Sequence, residues 1–181
     1  MNIEIRRPKA NDKEALKALF IATIDDIFER EAIDMPELKL EEIDEKQTFF
    51  LDDLESNGQK RYFLIAEIDG KVVGTAAIGP SNPLIHESSG DKLKEILEIG
   101  TVYVHPNYQK HGVGMKLMRA IYLTLLARGE REFCLDSGYK SAQAIWTRKI
   151  GPPEYIDADR WGEGNPHMVW HKSLDDVKIL M

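Results

Sequence analysis

Residues 102–114 read "VYVHPNYQKHGVG", and the rest of the chain is read outward from them. Val102-Tyr103-Val104 is strand-like and His105-Pro106-Asn107 turns the chain. Gly112 and Gly114 then stand just before the helix-like run "MKLMRAIYLTLLARG". A strand–turn–helix junction with glycines usually lets a phosphate approach the backbone. The first N–H groups of a helix have no partner inside it, and the helix dipole favours negative charge there. Glycine permits the φ angles of such a nest and leaves no Cβ in the way. Two familiar versions do not fit. A P-loop needs Lys-Ser/Thr after its second glycine, but Met115-Lys116 follows Gly114. The dinucleotide pattern G-x-G-x-x-G would need glycine where Leu117 stands. The pattern present, Gln109-x-x-Gly112-x-Gly114, is a third kind of pyrophosphate loop.

Around this loop, strands and helices alternate. "NIEIRR" alternates as a short strand. "NDKEALKALFIATIDDIFERE" follows as a helix, with Leu16, Leu19, Phe20, Ile24 and Ile27 at helical spacing and Asn11 and Glu14 as a capping pair. "MPE" breaks the pattern, and "KLEEIDEKQTFFLDDLESNG" is a second helix ended by Asn57-Gly58. "RYFLIAEIDGKVVGTAAIG" is two strands around Asp69-Gly70, a strong hairpin signal. "PSNPLIHESSGDK" reads as a polar loop, and "LKEILEIGTVYVHP" ends in a strand. The helix after the opening motif runs to about Arg128, with Gly129 as its cap. "REFCLDSG" is a strand, "SAQAIWTRKIG" a helix, and "PEYIDA" and "HMVWHKSL" are two last strands joined by "DRWGEGNP". With no repeat or linker, this order predicts one α/β domain over residues 1–181, with a mixed sheet.

The bulk numbers narrow the function. A chain of 181 residues can bury a real core, and 43% hydrophobic with 30% charged residues is ordinary for a globular protein. No apolar run approaches the ~20 residues that span a bilayer. The start "MNIEIRRPKANDKEAL" has no apolar signal region, so a cytoplasmic protein is expected. A net charge of -7 argues against nonspecific nucleic-acid or anionic-membrane binding. Residues 25–55 sum to -10, from thirteen Asp/Glu against Arg30, Lys39 and Lys46, and the rest of the chain to +3. The single cysteine, Cys134, excludes a disulfide framework and a multi-cysteine zinc site, and reads as a small buried residue or a nucleophile. The five histidines, at 86, 105, 111, 167 and 171, do not pair at metal-ligand spacing, and no metal is expected.

The Gln109–Gly114 pattern resembles the acyl-CoA signature of the GNAT superfamily of N-acyltransferases, Gln/Arg-x-x-Gly-x-Gly/Ala. The strand "EIGTVYVHP" before it, the start "IEIRRPKANDKEALKALF" and the order of elements are also similar to that family. The resemblance implies a GNAT-like sheet of six to seven strands flanked by helices. It implies an acetyl-CoA-dependent N-acetyltransferase acting on a primary amine, small or peptide. Acetyl-CoA and the amine are then the partners, with neither nucleic acid nor membrane involved and a homodimer as an open option. By this resemblance, backbone groups along Val102, Tyr103 and Val104 hold the pantetheine. The amides of Lys110, His111, Gly112, Val113 and Gly114 hold the pyrophosphate, and Gln109, Met115 and Ser141 are further cofactor contacts. Lys110 and Lys116 either add positive charge there or are solvated surface lysines.

The chemistry also needs a proton acceptor. An amine of pKa about 10.4 is the free base in only about one molecule in 2,500 at pH 7. Glu98 matches the glutamate that many family members carry early in this strand, four residues before Val102. It is either that base or a strand-edge glutamate in solvent. Gly100 marks a bulge that splays the strand or is a packing glycine. The departing thiolate needs a proton back. The family's usual tyrosine position falls here on Thr147 or Arg148, and Ser141 replaces the usual asparagine. Tyr139 and Tyr155, which flank that helix, are the remaining candidates, and Trp146 reads as core. The missing tyrosine keeps open a non-catalytic acyl-CoA sensor of the same fold.

Overall fold

The computed structural model describes residues 1–177. Strand β1 (Glu4–Arg6) leads through a 3-10 turn (Ala10–Asp12) into helix α1 (Lys13–Arg30). The expected Asn11–Glu14 cap is displaced. Asn11 lies inside the 3-10 turn and Asp12 takes the N-cap position. The nearly buried Asp12 carboxylate accepts from the Lys9 amide at 2.7 Å and from both terminal nitrogens of Arg6 at 2.8 and 2.9 Å. A guanidinium fork matches a carboxylate better than the neutral Asn11 amide could. Along α1 the buried residues include Leu16, Leu19, Phe20, Ile24 and Phe28; Phe28 takes the inward place that spacing assigned to Ile27.

Helix α2 (Pro36–Ser56) begins earlier than its apolar pattern suggested. The Pro36 that reads as a break is the first helical residue, where its missing N–H would have had no partner anyway. Asn57 ends it in the left-handed conformation, φ 49°. Near that end, Asp53 is fully buried. It is held by the Arg7 guanidinium and by the Phe63 amide at 2.6 Å. Strands β2 (Tyr62–Ile68) and β3 (Lys71–Pro80) form the expected hairpin, with Asp69 and Gly70 at φ 50° and 76° as a two-residue primed turn requires.

The stretch read as a polar loop contains a helix, α3 (Pro83–Ser89). Its signals are capping signals, not periodicity. The Asn82 side chain accepts from the Leu84 and Ile85 amides at 2.9 and 3.2 Å, Pro83 stands at the first position, and Gly90 closes it at φ 59°. Strand β4 (Leu97–Val104), a 3-10 turn (Pro106–Tyr108), helix α4 (Val113–Ala127) and strand β5 (Glu132–Ser137) follow. Helix α5 (Lys140–Ile150) and strands β6 (Tyr155–Asp157) and β7 (His167–Ser173) complete the described chain.

The seven strands are ordered β1-β2-β3-β4-β5-β7-β6. β4 and β5 run parallel, while β1–β2, β2–β3, β5–β7 and β6–β7 are antiparallel. The fold is therefore α/β with a mixed sheet, as the alternation implied. Among the described residues no helix is long and apolar enough to cross a membrane.

The chain divides into two compact units. The first comprises Met1–Ile78 and Thr101–Ile121, the second Gly79–Gly100 and the chain from Tyr122. In the first, Phe50 meets Phe63 edge-on at 6.1 Å, and Phe20 meets Tyr103 in the same way. In the second, Ile85, Leu93, Cys134 and Val169 form a buried cluster against which Ile96 and Tyr155 pack.

Candidate active site

In the first unit the strand-to-helix junction is a tight turn with two left-handed residues. His105 starts the 3-10 turn, its Nδ1 accepting from the Asn107 amide at 3.2 Å. The Gln109 side chain donates back to the Val104 carbonyl at 3.2 Å, tying the loop to the end of β4. Lys110 and Gly112 both lie at positive φ, 64° and 84°. The Gly112 carbonyl accepts from the Lys116 amide at 3.0 Å, so Gly112 caps α4. The amides of Val113, Gly114 and Met115 then belong to the first turn, which has no intrahelical acceptor for them. A Cβ built on Gly112 would meet no atom within 4 Å, so the space above it is open. Lys110, His111 and Met115 are exposed. Lys116 is also exposed, and its ammonium reaches the Ile3 carbonyl at 3.4 Å, away from the loop.

Two features that the sequence did not signal position this junction. Gly74 on β3 lets α4 approach. A Cβ there would stand 3.0 Å from the Tyr103 carbonyl, from Leu117 and from Val113. The second is at Thr101 on β4, which sits at φ 51°, a rare conformation for a β-branched residue. The buried Thr75 hydroxyl donates to the Thr101 carbonyl at 2.7 Å and holds it there. The irregularity in β4 is thus at Thr101. Gly100 serves another purpose: a Cβ on it would lie 3.0 Å from Glu98 Oε1. The three strand residues expected along the cofactor, Val102, Tyr103 and Val104, are all half-buried. The Tyr103 hydroxyl is pushed up to about 12 by burial, against the opposing pull of Lys46. Burial also works to lower the Lys46 ammonium, but Tyr103, Glu45 and Glu42 outweigh it and hold it above its ordinary range.

In the second unit Glu98 is half-buried and hydrogen-bonded, not a solvated strand edge. Its Oε2 accepts from the backbone amide of Asn82 at 2.8 Å and from the Asn82 side-chain amide at 3.1 Å. The same Asn82 nitrogen stands 3.1 Å from both oxygens of Asp136. Asp136 pairs with His167 Nε2 at 2.8 Å, and His167 is buried, with 3% exposure. Its Nδ1 accepts from the Trp161 indole at 3.2 Å. An indole N–H only donates, so the His167 proton sits on Nε2, facing Asp136. Trp161 lies against Gly138, where a Cβ would come within 2.6 Å of the indole nitrogen. Its neighbour Arg160 pairs with Glu87 of α3 at 2.8 Å.

The other expected residues are placed as follows. Tyr139 is half-buried at the N-cap of α5, and Ser141 lies in that helix's first turn, also half-buried. Tyr155 packs on the apolar cluster. Thr147 and Arg148 are exposed, and Trp146 is half-buried. Cys134 is fully buried. Burial first, then Glu98 and Asp136, push its thiol up, which fits the reading of a small buried residue. Among the described residues no group of three or more His, Cys, Asp or Glu could hold a metal ion. Sequence reasoning missed Asn82, Asp136, His167 and Trp161. Asp136 carried the signal already applied to Glu98, a carboxylate inside an apolar strand, and the Asn82-Pro83 pair is a helix-start signal.

The acetyltransferase (GNAT) family matches residues 23–151. The chain belongs to that family. GNAT-type solved structures share its fold at low identity. The PaiA N-acetyltransferase of Thermoplasma acidophilum, solved with coenzyme A, is 17% identical, with 95% of this chain and 100% of that one covered at a TM-score of 0.69. A Salmonella typhimurium protein solved with its cofactor acetyl-CoA is 18% identical, covering 98% and 97% at 0.66. The ribosomal-protein-alanine N-acetyltransferase of Brucella melitensis is 20% identical, covering 94% and 99% at 0.67. No curated protein matches this GNAT chain.

Proposed function

We propose that this GNAT protein transfers an acetyl group from acetyl-CoA to a primary amine by direct attack, with Glu98 as the proton acceptor. The observation that carries the reading is the turn at residues 110–115, with its two left-handed residues, open space over Gly112 and first-turn amides for which the helix itself supplies no acceptor. That donor set fits a pyrophosphate. Similar folds solved with coenzyme A and with acetyl-CoA support the same choice.

Acetyl-CoA supplies an acetyl group activated as a thioester. On this chain, the backbone of Val102 and Val104 aligns the pantetheine arm, and the amides of Lys110 to Met115 bind the pyrophosphate. Glu98 takes the proton that the amine must lose, directly or through one water. As the new C–N bond forms the C–S bond breaks, and Tyr139 or Tyr155 returns a proton to the thiolate. Fixed by two donors from Asn82, the Glu98 carboxylate meets the amine in one orientation.

The test is free-thiol release from acetyl-CoA over a panel of amines, with wild type and Glu98→Gln. The variant should lose about 10²–10⁴-fold in turnover at neutral pH and bind acetyl-CoA as wild type does. Wild-type turnover in the variant would assign the proton to another group. The exposed Thr147 and Arg148, where the family carries a tyrosine, favour a second reading, an acyl-CoA sensor. Tight binding with no thiol release on any amine would decide for it.

A further inference from the structure

We propose that Asn82, held in place by Asp136 and His167, is the positioning residue for Glu98. The proposal rests on the reading of Glu98 as the proton acceptor. The orientation of the Asn82 amide is not a free choice. Its Oδ1 accepts from the Leu84 and Ile85 amides, which leaves Nδ2 as the face turned toward the two carboxylates. A flipped amide would put oxygen against Glu98 and Asp136 and nitrogen against two backbone donors.

With that face fixed, one Nδ2 hydrogen serves Glu98 and the other is shared by the two oxygens of Asp136. Glu98 lies opposite Cys134 in the parallel β4–β5 register, and Asp136 is two residues further along β5. Two carboxylates so close repel, and a donor between them offsets that repulsion. Asp136 is in turn held by the Nε2 proton of the buried His167, whose tautomer the Trp161 indole sets. The result is a directed chain from Trp161 through His167, Asp136 and Asn82 to Glu98. An amide does not pass on a proton at neutral pH, so the chain orients Glu98 and does not relay the substrate's proton.

Asn82 also caps α3, and the test must separate that role. Serine is as good a cap as asparagine but cannot reach between two carboxylates. Asn82→Ser should therefore melt near the wild-type temperature and keep the wild-type KM for acetyl-CoA, while kcat falls about 10–100-fold. Asn82→Asp, also a good cap, adds a third carboxylate and should fall further. Asp136→Asn leaves the cap untouched and should again lower kcat at constant KM for acetyl-CoA. Glu98→Gln is assayed beside them. If it turns over as wild type does, or if wild type releases no thiol with any amine, the reading of Glu98 fails and the proposal with it. If Glu98→Gln is inactive while Asn82→Ser and Asp136→Asn keep wild-type kcat, the base stands and the positioning role is overturned.

Discussion

Thr75→Val removes one oxygen from the middle of the first unit and asks what holds Thr101 in its left-handed conformation. Thr75 is fully buried, and its hydroxyl stands 2.7 Å from the Thr101 carbonyl. Valine keeps the shape and the strand preference but not the donor. The lost bond is worth about 0.5–1.5 kcal/mol net, and a buried carbonyl left without its donor costs about 1–3 kcal/mol. A left-handed β-branched residue carries about 1–3 kcal/mol of strain that this bond helps to offset. The variant should therefore lose about 1–3 kcal/mol. At roughly 2–4 °C per kcal/mol for a chain of this size, Tm should fall by about 2–12 °C. Thr75→Ser keeps the donor and should recover most of the loss, and acetyl-CoA affinity should follow the same order because Val102 adjoins the irregularity. The assay is thermal unfolding by circular dichroism with and without acetyl-CoA. A Thr75→Val protein with wild-type Tm and affinity would refute the idea that this hydrogen bond sets the shape of β4.

Other outcomes follow from the same structure. Tyr139→Phe and Tyr155→Phe should differ, because only the tyrosine that protonates the thiolate should lower kcat, by about 10²-fold or more, at unchanged acetyl-CoA affinity; equal, wild-type rates in both would assign that proton to solvent. Asp53→Ala would remove the carboxylate from the Phe63 amide and from Arg7, which keeps the Phe63 carbonyl at 2.8 Å, and should cost about 1–3 kcal/mol by urea unfolding. The Arg6 guanidinium, working against burial, holds the Asp12 carboxylate below its ordinary range. Its contribution to stability is complete above about pH 4 and fades as pH falls through the lowered folded value, so Asp12→Asn should flatten the acid limb of the stability–pH curve. Residues 25–55 carry -10 after Arg30, Lys39 and Lys46 are counted, and Asp52 and Asp53 are further paired with Lys60 and Arg7 from outside the segment. An acidic segment raises the local concentration of a cationic amine, and with that pairing the effect should be modest: kcat/KM for a polyamine should fall by about two- to tenfold from low to high salt with kcat flat, and a flat kcat/KM would leave the segment as solvated surface.

What the sequence revealed and what it hid divide along physical lines. The β2–β3 hairpin was legible because Asp-Gly between alternating strands has few other uses, and the nest was legible because glycine before a helix has a backbone purpose. Helix α3 was missed because seven residues give too little periodicity, although Asn82, Pro83 and Gly90 mark both of its ends. The start of α2 was placed late because proline was read as a break where it is a first-turn residue. Glu98 was singled out by its match to the family's strand glutamate and because a carboxylate in an apolar strand demands a reason. What holds it was not found, since Asn82, Asp136 and His167 are brought together by sheet register across 85 positions of chain, which no local pattern encodes. Thr75 and Gly74 look like ordinary strand residues until the left-handed Thr101 and the approach of α4 are known.

The most direct measurement is calorimetric titration of acetyl-CoA into the wild-type protein and into Gly112→Asp. The substitution places a carboxylate over the amides proposed to hold the pyrophosphate, in space that is open in the structure. Wild type should bind one equivalent, and Gly112→Asp, compared after its own Tm has been checked, should show none. Equal binding by both proteins, or none by wild type, would contradict the account.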